Sequence, residues 1–150
     1  MTVDRTSDTS PSGVSMAITV GVVHQTAALI RVRTELAYRS SDPHAVEMTS
    51  FLADRAVPWL MARELLTTGV GAPTGEGDVH VRPGSEFEGP GVTIIELISP
   101  DGAAAIRVKT SDMLTFLART RQLVPVGTES AHTDLSIDSA VAAVLGTPTA

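Results

Sequence analysis

Apolar and polar residues alternate along most of the first half of the chain. From Val14 to Val22 an apolar side chain occupies every second position, and the run from Ile30 to Tyr38 repeats this period of two. Such a period is typical of a strand that buries one face. Because the link between the two runs is too short for a crossover, the pattern predicts an antiparallel hairpin.

Two more strands are predicted before the middle of the chain. An Asp-Pro turn within residues 40–44 leads into a run from Ala45 to Leu52, and a second turn leads into Val57–Met61. Pro58 lacks a backbone N–H, which predicts an edge strand or a bulge at this position. Four strands joined by short connections indicate an antiparallel meander rather than alternating strands and helices.

The second half of the chain repeats this plan. A short helix at Ala62–Thr68 and a glycine-rich loop at Gly69–Gly77 are predicted to connect the halves. The strands predicted after the loop are Asp78–Arg82, Val92–Ser99 and Ala103–Val108, with a Ser-Pro-Asp-Gly turn before the last.

The spacing of apolar residues becomes helical after residue 109. The hydroxyl group of Thr110 or Ser111 is predicted to cap this helix. Its predicted apolar stripe consists of Met113, Leu114 and Leu117, with Phe116 on the flank. A final helix is predicted to begin near Asp134 or Ser136.

The composition fits one α+β domain. The chain has 150 residues, of which 43% are hydrophobic and only 3% aromatic, so its core is expected to be aliphatic. Residues 14–146 are predicted to form this domain. Residues 1–13, rich in Ser, Thr and Asp, are predicted to be a disordered tail, and residues 147–150 a C-terminal tail.

Charge and cysteine content exclude several classes of function. The net charge of −6 disfavours nonspecific binding to nucleic acid, and the lack of Cys excludes disulfides, thiolate metal sites and Cys nucleophiles. No apolar run reaches the ~18 residues of a membrane span, and the N-terminus lacks a signal-peptide pattern. The protein is therefore expected to be cytoplasmic.

Histidines and glycines offer only weak site candidates. The histidines lack metal-binding spacing, and surface or structural roles are favoured for His24, His44, His80 and His132. The glycine-rich loop has no Lys and follows a helix into a strand, whereas a phosphate-binding loop follows a strand into a helix. Tight turns are the favoured role for its glycines, Gly69, Gly71, Gly75 and Gly77.

Charged and aromatic residues give three further candidates. One face of the second predicted strand carries a row of cations, Arg31, Arg33 and Arg39, interrupted by Glu35. Such a row could contact phosphates. The chain has few aromatic side chains for stacking bases, which argues against a single-strand binder. Nothing places two carboxylates in one cleft among Asp54, Glu64 and Asp78. The only Trp, Trp59, is predicted to be largely buried, in the core or at an interface. No catalytic, cofactor or metal site is predicted.

Several segments resemble the SsgA-like proteins, an actinomycete family of sporulation and cell-division regulators. The most specific segment is VPWLMARELLTTGVGAPTGEGDVHV at Val57–Val81. Further matching segments are LAYRSSDPHAV at Leu36–Val46, the SPDG turn, and MLTFLARTRQLVPVGTE at Met113–Glu129. The resemblance spans roughly residues 16–145, and the SsgB type fits best.

The resemblance implies both a fold and a function. The fold implied is similar to the plant Whirly proteins, with two antiparallel four-stranded sheets, a β-β-β-β-α plan used twice, and an added C-terminal helix, assembled as a homotrimer. The function implied is a non-enzymatic scaffold, without cofactor, that helps position or recruit FtsZ at septum sites with an SsgA-type partner. Contact with the membrane would be only indirect, through partners.

Two other functions remain open at this point. A Whirly-like fold suggests a single-stranded nucleic-acid binder, but fold alone is weak support and the charge opposes it. A small-molecule enzyme is the other alternative, and the lack of a catalytic constellation argues against it.

Overall fold

A computed structural model describes residues 13–24, 28–100 and 102–130. Within this part of the chain lie eight strands and two helices. The elements are β1 (Gly13–His24), β2 (Ile30–Arg39), β3 (Asp42–Phe51), β4 (Ala56–Ala62), α1 (Arg63–Gly69), β5 (Thr74–Glu76), β6 (Val79–Pro83), β7 (Val92–Ser99), β8 (Gly102–Lys109) and α2 (Thr110–Leu123).

The strands form one antiparallel sheet in the order β4-β3-β2-β1-β8-β7-β6-β5. Each half of the chain contributes a four-stranded meander, and a helix follows each meander. The prediction of two separate four-stranded sheets is wrong in this respect. The last residues of β1, Gly21–His24, pair with Arg107–Ala104 of β8 and join the two meanders. A pairing between strands so distant in sequence leaves no local signal.

The predicted period of two is confirmed in the strands of the first half. On β2, Val32, Thr34, Leu36 and Tyr38 are buried, and the Arg and Glu residues between them are exposed. β4 lies at one edge of the sheet, as Pro58 predicted. The missing N–H of Pro58 therefore leaves no gap inside the sheet.

The glycine-rich loop contains a strand that was not predicted. Residues 74–76 form β5, which pairs with β6 and is the second edge of the sheet. Gly69 ends α1 directly against Val81, and a Cβ atom there would overlap the Val81 side chain. Gly77 turns the chain between β5 and β6 with a φ of 61°, which glycine adopts without strain. These glycines allow close packing and a tight turn.

The core is aliphatic, as predicted, and both meanders contribute to it. One cluster of buried side chains includes Leu36 and Met48 from the first half and Ile95 and Val108 from the second. α2 packs on this cluster, and its buried side chains are Met113, Phe116, Leu117 and Thr120.

The apolar face of α2 differs from the prediction. Phe116 is fully buried, whereas Leu114 is 47% exposed. The buried positions follow the spacing i, i+3, i+4, i+7 from Met113, which sets Leu114 on the opposite face. The predicted hydroxyl cap is also absent, since Lys109 is the N-cap and Thr110 Oγ1 lies 2.9 Å from Thr93 Oγ1. Thr110 therefore ties the start of α2 to β7.

Trp59 is less buried than predicted. It lies on the edge strand β4 opposite Met48, and its half-buried side chain packs against the core. An edge strand has neighbours on one side only, so part of the indole stays exposed. The predicted final helix and C-terminal tail, and residues 1–12 of the predicted N-terminal tail, lie outside the described residues.

The burial of α2 leads to a first prediction. Phe116→Ala should lower the free energy of unfolding by about 3–5 kcal/mol, because it leaves a cavity in the core. Leu114→Ala, on the exposed face of the same helix, should change it by less than about 1 kcal/mol. Urea unfolding followed by circular dichroism measures both. A larger loss for Leu114→Ala would contradict this assignment of the helix face.

Candidate interaction site

A groove crosses the outer face of the sheet where the two meanders join. Its floor is β1, whose outward side chains Ala17 and Thr19 are small and are followed by Gly21. The groove has a volume of about 690 Å³. Because the outward side chains of β1 are small, the longer side chains of the two neighbouring strands rise above it on both sides.

Cationic side chains form both walls of the groove. Arg31 and Arg33 stand on β2, and Arg107 and Lys109 on β8. Gly21 pairs with Arg31 on one side and with Arg107 on the other. Since neighbouring strands lie about 4.8 Å apart, the two walls are separated by about 10 Å at their base. The pairing of β1 with β8 therefore brings together two cationic rows from opposite halves of the chain.

Two of these four cations have contacts that hold their orientation. The Arg33 guanidinium lies over the ring of Phe51, 4.5 Å from its centroid. Arg107 Nη2 donates a hydrogen bond to the backbone carbonyl of Glu88. Within the described residues, none of the four groove cations forms an ion pair with a carboxylate. Asp112, at the start of α2, is the one acidic residue in the groove lining.

The loop that Arg107 contacts is itself rigidly held. The Glu88 carboxylate accepts hydrogen bonds from Arg82 Nη1 at 2.7 Å and from Arg82 Nη2 at 2.8 Å. It also accepts one from the Ser85 backbone N–H at 2.7 Å. The hydrogen bonds from Arg82, followed by those from Ser85, lower the pKa of Glu88 to about 2. Glu88 is therefore charged at neutral pH and fixes this side of the groove.

A second charged cluster lies inside the protein. Arg63, at the start of α1, is only 2% exposed. Its Nη1 atom donates to the carbonyl oxygens of Thr120 at 3.2 Å and Val124 at 2.7 Å, at the end of α2. Its Nη2 atom donates to Glu129 Oε2 at 2.6 Å. The Thr120 carbonyl also accepts from the Val124 N–H at 2.8 Å. Carbonyls at a helix C-terminus carry partial negative charge, so a buried cation is favourable there.

The aromatic ring of Tyr38 completes this internal cluster. The Arg63 guanidinium carbon lies 5.0 Å from the centre of the Tyr38 ring. The Tyr38 hydroxyl donates to the Pro43 carbonyl at 2.9 Å, and burial raises the pKa of Tyr38. The hydrogen bond from Arg63 is the main cause that lowers the pKa of Glu129 to about 2. Glu129 and the two carbonyls thus offset the cost of burying the Arg63 charge.

The histidines and acidic residues considered from the sequence are dispersed. His24 and His44 are exposed, His80 is half-buried beside Gly75, and His132 lies outside the described residues. Glu64 is exposed on α1, and Asp54 and Asp78 are exposed in two separate turns. Among the described residues, no three His, Asp or Glu side chains are close enough to hold a metal ion.

The arginine row is only partly brought together. Arg31 and Arg33 line the groove, whereas Arg39 lies at the far end of β2, outside it. Sequence reasoning missed Arg107 and Lys109, whose alternation on β8 was a signal for an outward face. It also missed Arg63, for which the sequence holds no signal of burial, because its partners lie 57 to 66 residues away.

Comparison with known proteins identifies the family. Residues 32–129 match the family described as "Streptomyces sporulation and cell division protein, SsgA". The chain belongs to the SsgA family. The sporulation-specific cell division protein SsgB of Streptomyces coelicolor is 40% identical over 123 residues, which cover 81% of this chain and 89% of that relative. SsgB of Frankia casuarinae is 34% identical over 142 residues, 94% of each chain.

Solved structures of SsgA-family proteins have the same fold. A structure from a study of SsgB mutations and longitudinal cell division in Streptomyces coelicolor superposes with a TM-score of 0.75, at 35% identity over 81% of this chain and 96% of that chain. An SsgA-like sporulation-specific cell division protein of Thermobifida fusca gives a TM-score of 0.79, at 33% identity over 90% of this chain and 97% of that chain. The predicted resemblance to the SsgA-like family, and to its SsgB type, is confirmed.

One structural finding bears on the membrane. Among the described residues, neither helix is long and apolar enough to cross a bilayer.

The ion pair between Arg63 and Glu129 leads to a second prediction. The ordinary pKa of Glu is near 4.5 and that of Glu129 in the fold is about 2, so its charge stabilises the fold above pH 4.5. This contribution should be lost as the pH falls from about 4.5 to about 2. Glu129→Gln removes the titrating group, so the stability of this variant should fall less over that range. Urea unfolding at a series of pH values measures the difference.

Glu88 titrates in the same range and provides a second test, for which an exposed glutamate serves as the control. Glu88→Gln should also flatten the acid limb of the stability curve, because the Arg82 hydrogen bonds lower its pKa to about 2. Glu76→Gln, at an exposed site without such a contact, should follow the unmodified protein. If the stability of Glu129→Gln had the same pH dependence as that of the unmodified protein, the ion pair between Arg63 and Glu129 would not contribute to folding.

Proposed function

We propose that this protein is a non-enzymatic regulator of sporulation-specific cell division, a scaffold that helps position or recruit FtsZ at septum sites. Its membership of the SsgA family carries the proposal. The chain matches most of the length of relatives that are named sporulation-specific cell division proteins. The groove fits a scaffold because its lining offers cationic hydrogen-bond donors to a partner.

The proposed partners are FtsZ and an SsgA-type protein. The protein would act from the cytoplasm, reach the septum through these partners, and meet the membrane only through them. The relatedness to Whirly-like folds belongs to the same proposal, supported by a meander and a helix in each half of the chain. Nucleic-acid binding is not proposed as its function, since the relatives are named for cell division and the net charge is −6.

The third prediction tests this function in cells. When expressed in Streptomyces coelicolor lacking its own SsgB, the protein should restore sporulation septa and the localisation of FtsZ at them. Phe116→Asp, which places a charge in the core, is the matched negative control. The FtsZ of its own organism should also co-purify with it. The proposal is wrong if septa stay absent at a normal protein level and that FtsZ does not co-purify.

The fourth prediction concerns self-assembly. We propose a homotrimer, for which an exposed sheet edge supplies a surface: β4 is unpaired on one side and its Leu60 is 65% exposed. Sedimentation equilibrium at micromolar concentration should give three times the chain mass. A monomer mass across the concentration range would refute the trimer.

A further inference from the structure

We propose that the groove formed by β2, β1 and β8 binds an extended, acidic segment of a partner protein. This inference rests on the proposed scaffold function, since it names the chemistry that one partner would present. It is carried by the charge, the shape and the preorganisation of the groove.

The charge of the groove is opposite to that of the whole protein. Four cations, Arg31, Arg33, Arg107 and Lys109, and one acid, Asp112, line it, whereas the chain carries a net −6. The protein's other two arginine clusters, around Arg63 and Arg82, are neutralised by its own carboxylates. Because the groove cations lack such partners among the described residues, they remain available to external carboxylates.

The shape of the groove suits one extended chain. Its floor is low and its walls lie about 10 Å apart, which leaves space for a single backbone with its side chains. On each wall the two cations are two residues apart on a strand, a separation of about 6.6 Å. An extended peptide directs successive side chains to opposite sides at the same spacing. Acidic residues along such a peptide could therefore reach both walls.

The fold itself keeps the groove open. β1 pairs with β8 only at Gly21–His24, and the last two residues of β8, Val108 and Lys109, are not paired with β1 before the chain enters α2. Phe51 supports Arg33, and the Glu88 carbonyl holds Arg107. Fixed side chains lose less conformational freedom on binding, which favours affinity. Leu29 covers Gly21 at one end, where an added Cβ would lie 2.7 Å from Leu29 Cδ1.

Nucleic acid is the other anion that could enter the groove. The groove lining includes no aromatic side chain on which a base could stack. The net charge of −6 also opposes a long polyanion more than a short acidic peptide. The observations therefore favour a peptide, and a nucleic-acid probe becomes one arm of the test.

The fifth prediction measures peptide binding by the full-length protein. The probe is a fluorescein-labelled peptide of about ten residues in which adjacent pairs of Glu are separated by single Ser residues, so that carboxylates point to both sides; it is ~33 Å long when extended. Fluorescence anisotropy should give a dissociation constant that rises with salt between about 50 and 300 mM. The same peptide with Gln in place of Glu should not bind.

Matched double variants locate the site. Arg31→Gln with Lys109→Gln removes one cation from each wall and should weaken binding by about three- to twenty-fold, as expected for two exposed ion pairs. Arg55→Gln with Arg121→Gln makes the same charge change at exposed positions outside the groove and should leave affinity unchanged. Peptide addition should also shift the amide resonances of Ala17, Thr19 and Gly21.

Three results would overturn the proposal. The first is equal binding of the Glu and Gln peptides, and the second is equal weakening by both double variants. The third is tighter binding of a labelled oligothymidylate that is lost in the groove variant, which would assign the groove to nucleic acid. Failure of both septum restoration and FtsZ co-purification, with intact peptide binding, would instead refute the proposed function and leave the groove's specificity standing.

Discussion

The buried guanidinium of Arg63 is the contact on which the meeting of the two halves depends. Arg63 begins the helix that follows the first meander, and its hydrogen bonds go to carbonyls at the end of the helix that follows the second. A charge only 2% exposed is tolerated because Glu129, those carbonyls and the face of Tyr38 surround it. A loss of any one partner would leave a buried polar group unsatisfied, so the cluster favours a single arrangement of the two helices.

The pairing of β1 with β8, the seam between the meanders, also holds the two halves of the chain together. Four residue pairs join the meanders there, and the same pairing places Arg107 beside the arginines of β2. The buried Arg63 and the half-buried Arg82 are matched by Glu129 and Glu88, while the cations at the seam face solvent. The protein thus separates cations that stabilise its fold from cations that are available to a partner. This separation suits the proposed scaffold function.

The loop between β6 and β7 links these two kinds of charge. Arg82 grips the Glu88 carboxylate through both of its terminal nitrogens, and the Glu88 carbonyl accepts from Arg107 in the groove wall. Phe87 is fully exposed at the tip of this loop. The ion pair between Arg82 and Glu88 therefore helps to set the position of Arg107 in the candidate interaction site.

The sequence by itself determined which segments other than β5 are strands, which faces of β1 and β2 are buried, the edge position of β4 marked by Pro58, and the family. These features depend on local periodicity, on one missing N–H, or on contiguous segments such as Val57–Val81. Only the tertiary structure decided that one continuous sheet forms, that Phe116 rather than Leu114 is buried, that Arg63 is internal, and that Arg107 and Lys109 face Arg31 and Arg33. The physical reason is distance along the chain. Pairing of β1 with β8 and burial of a charge both depend on partners dozens of residues away, and no local pattern of apolar and polar residues encodes which partners meet.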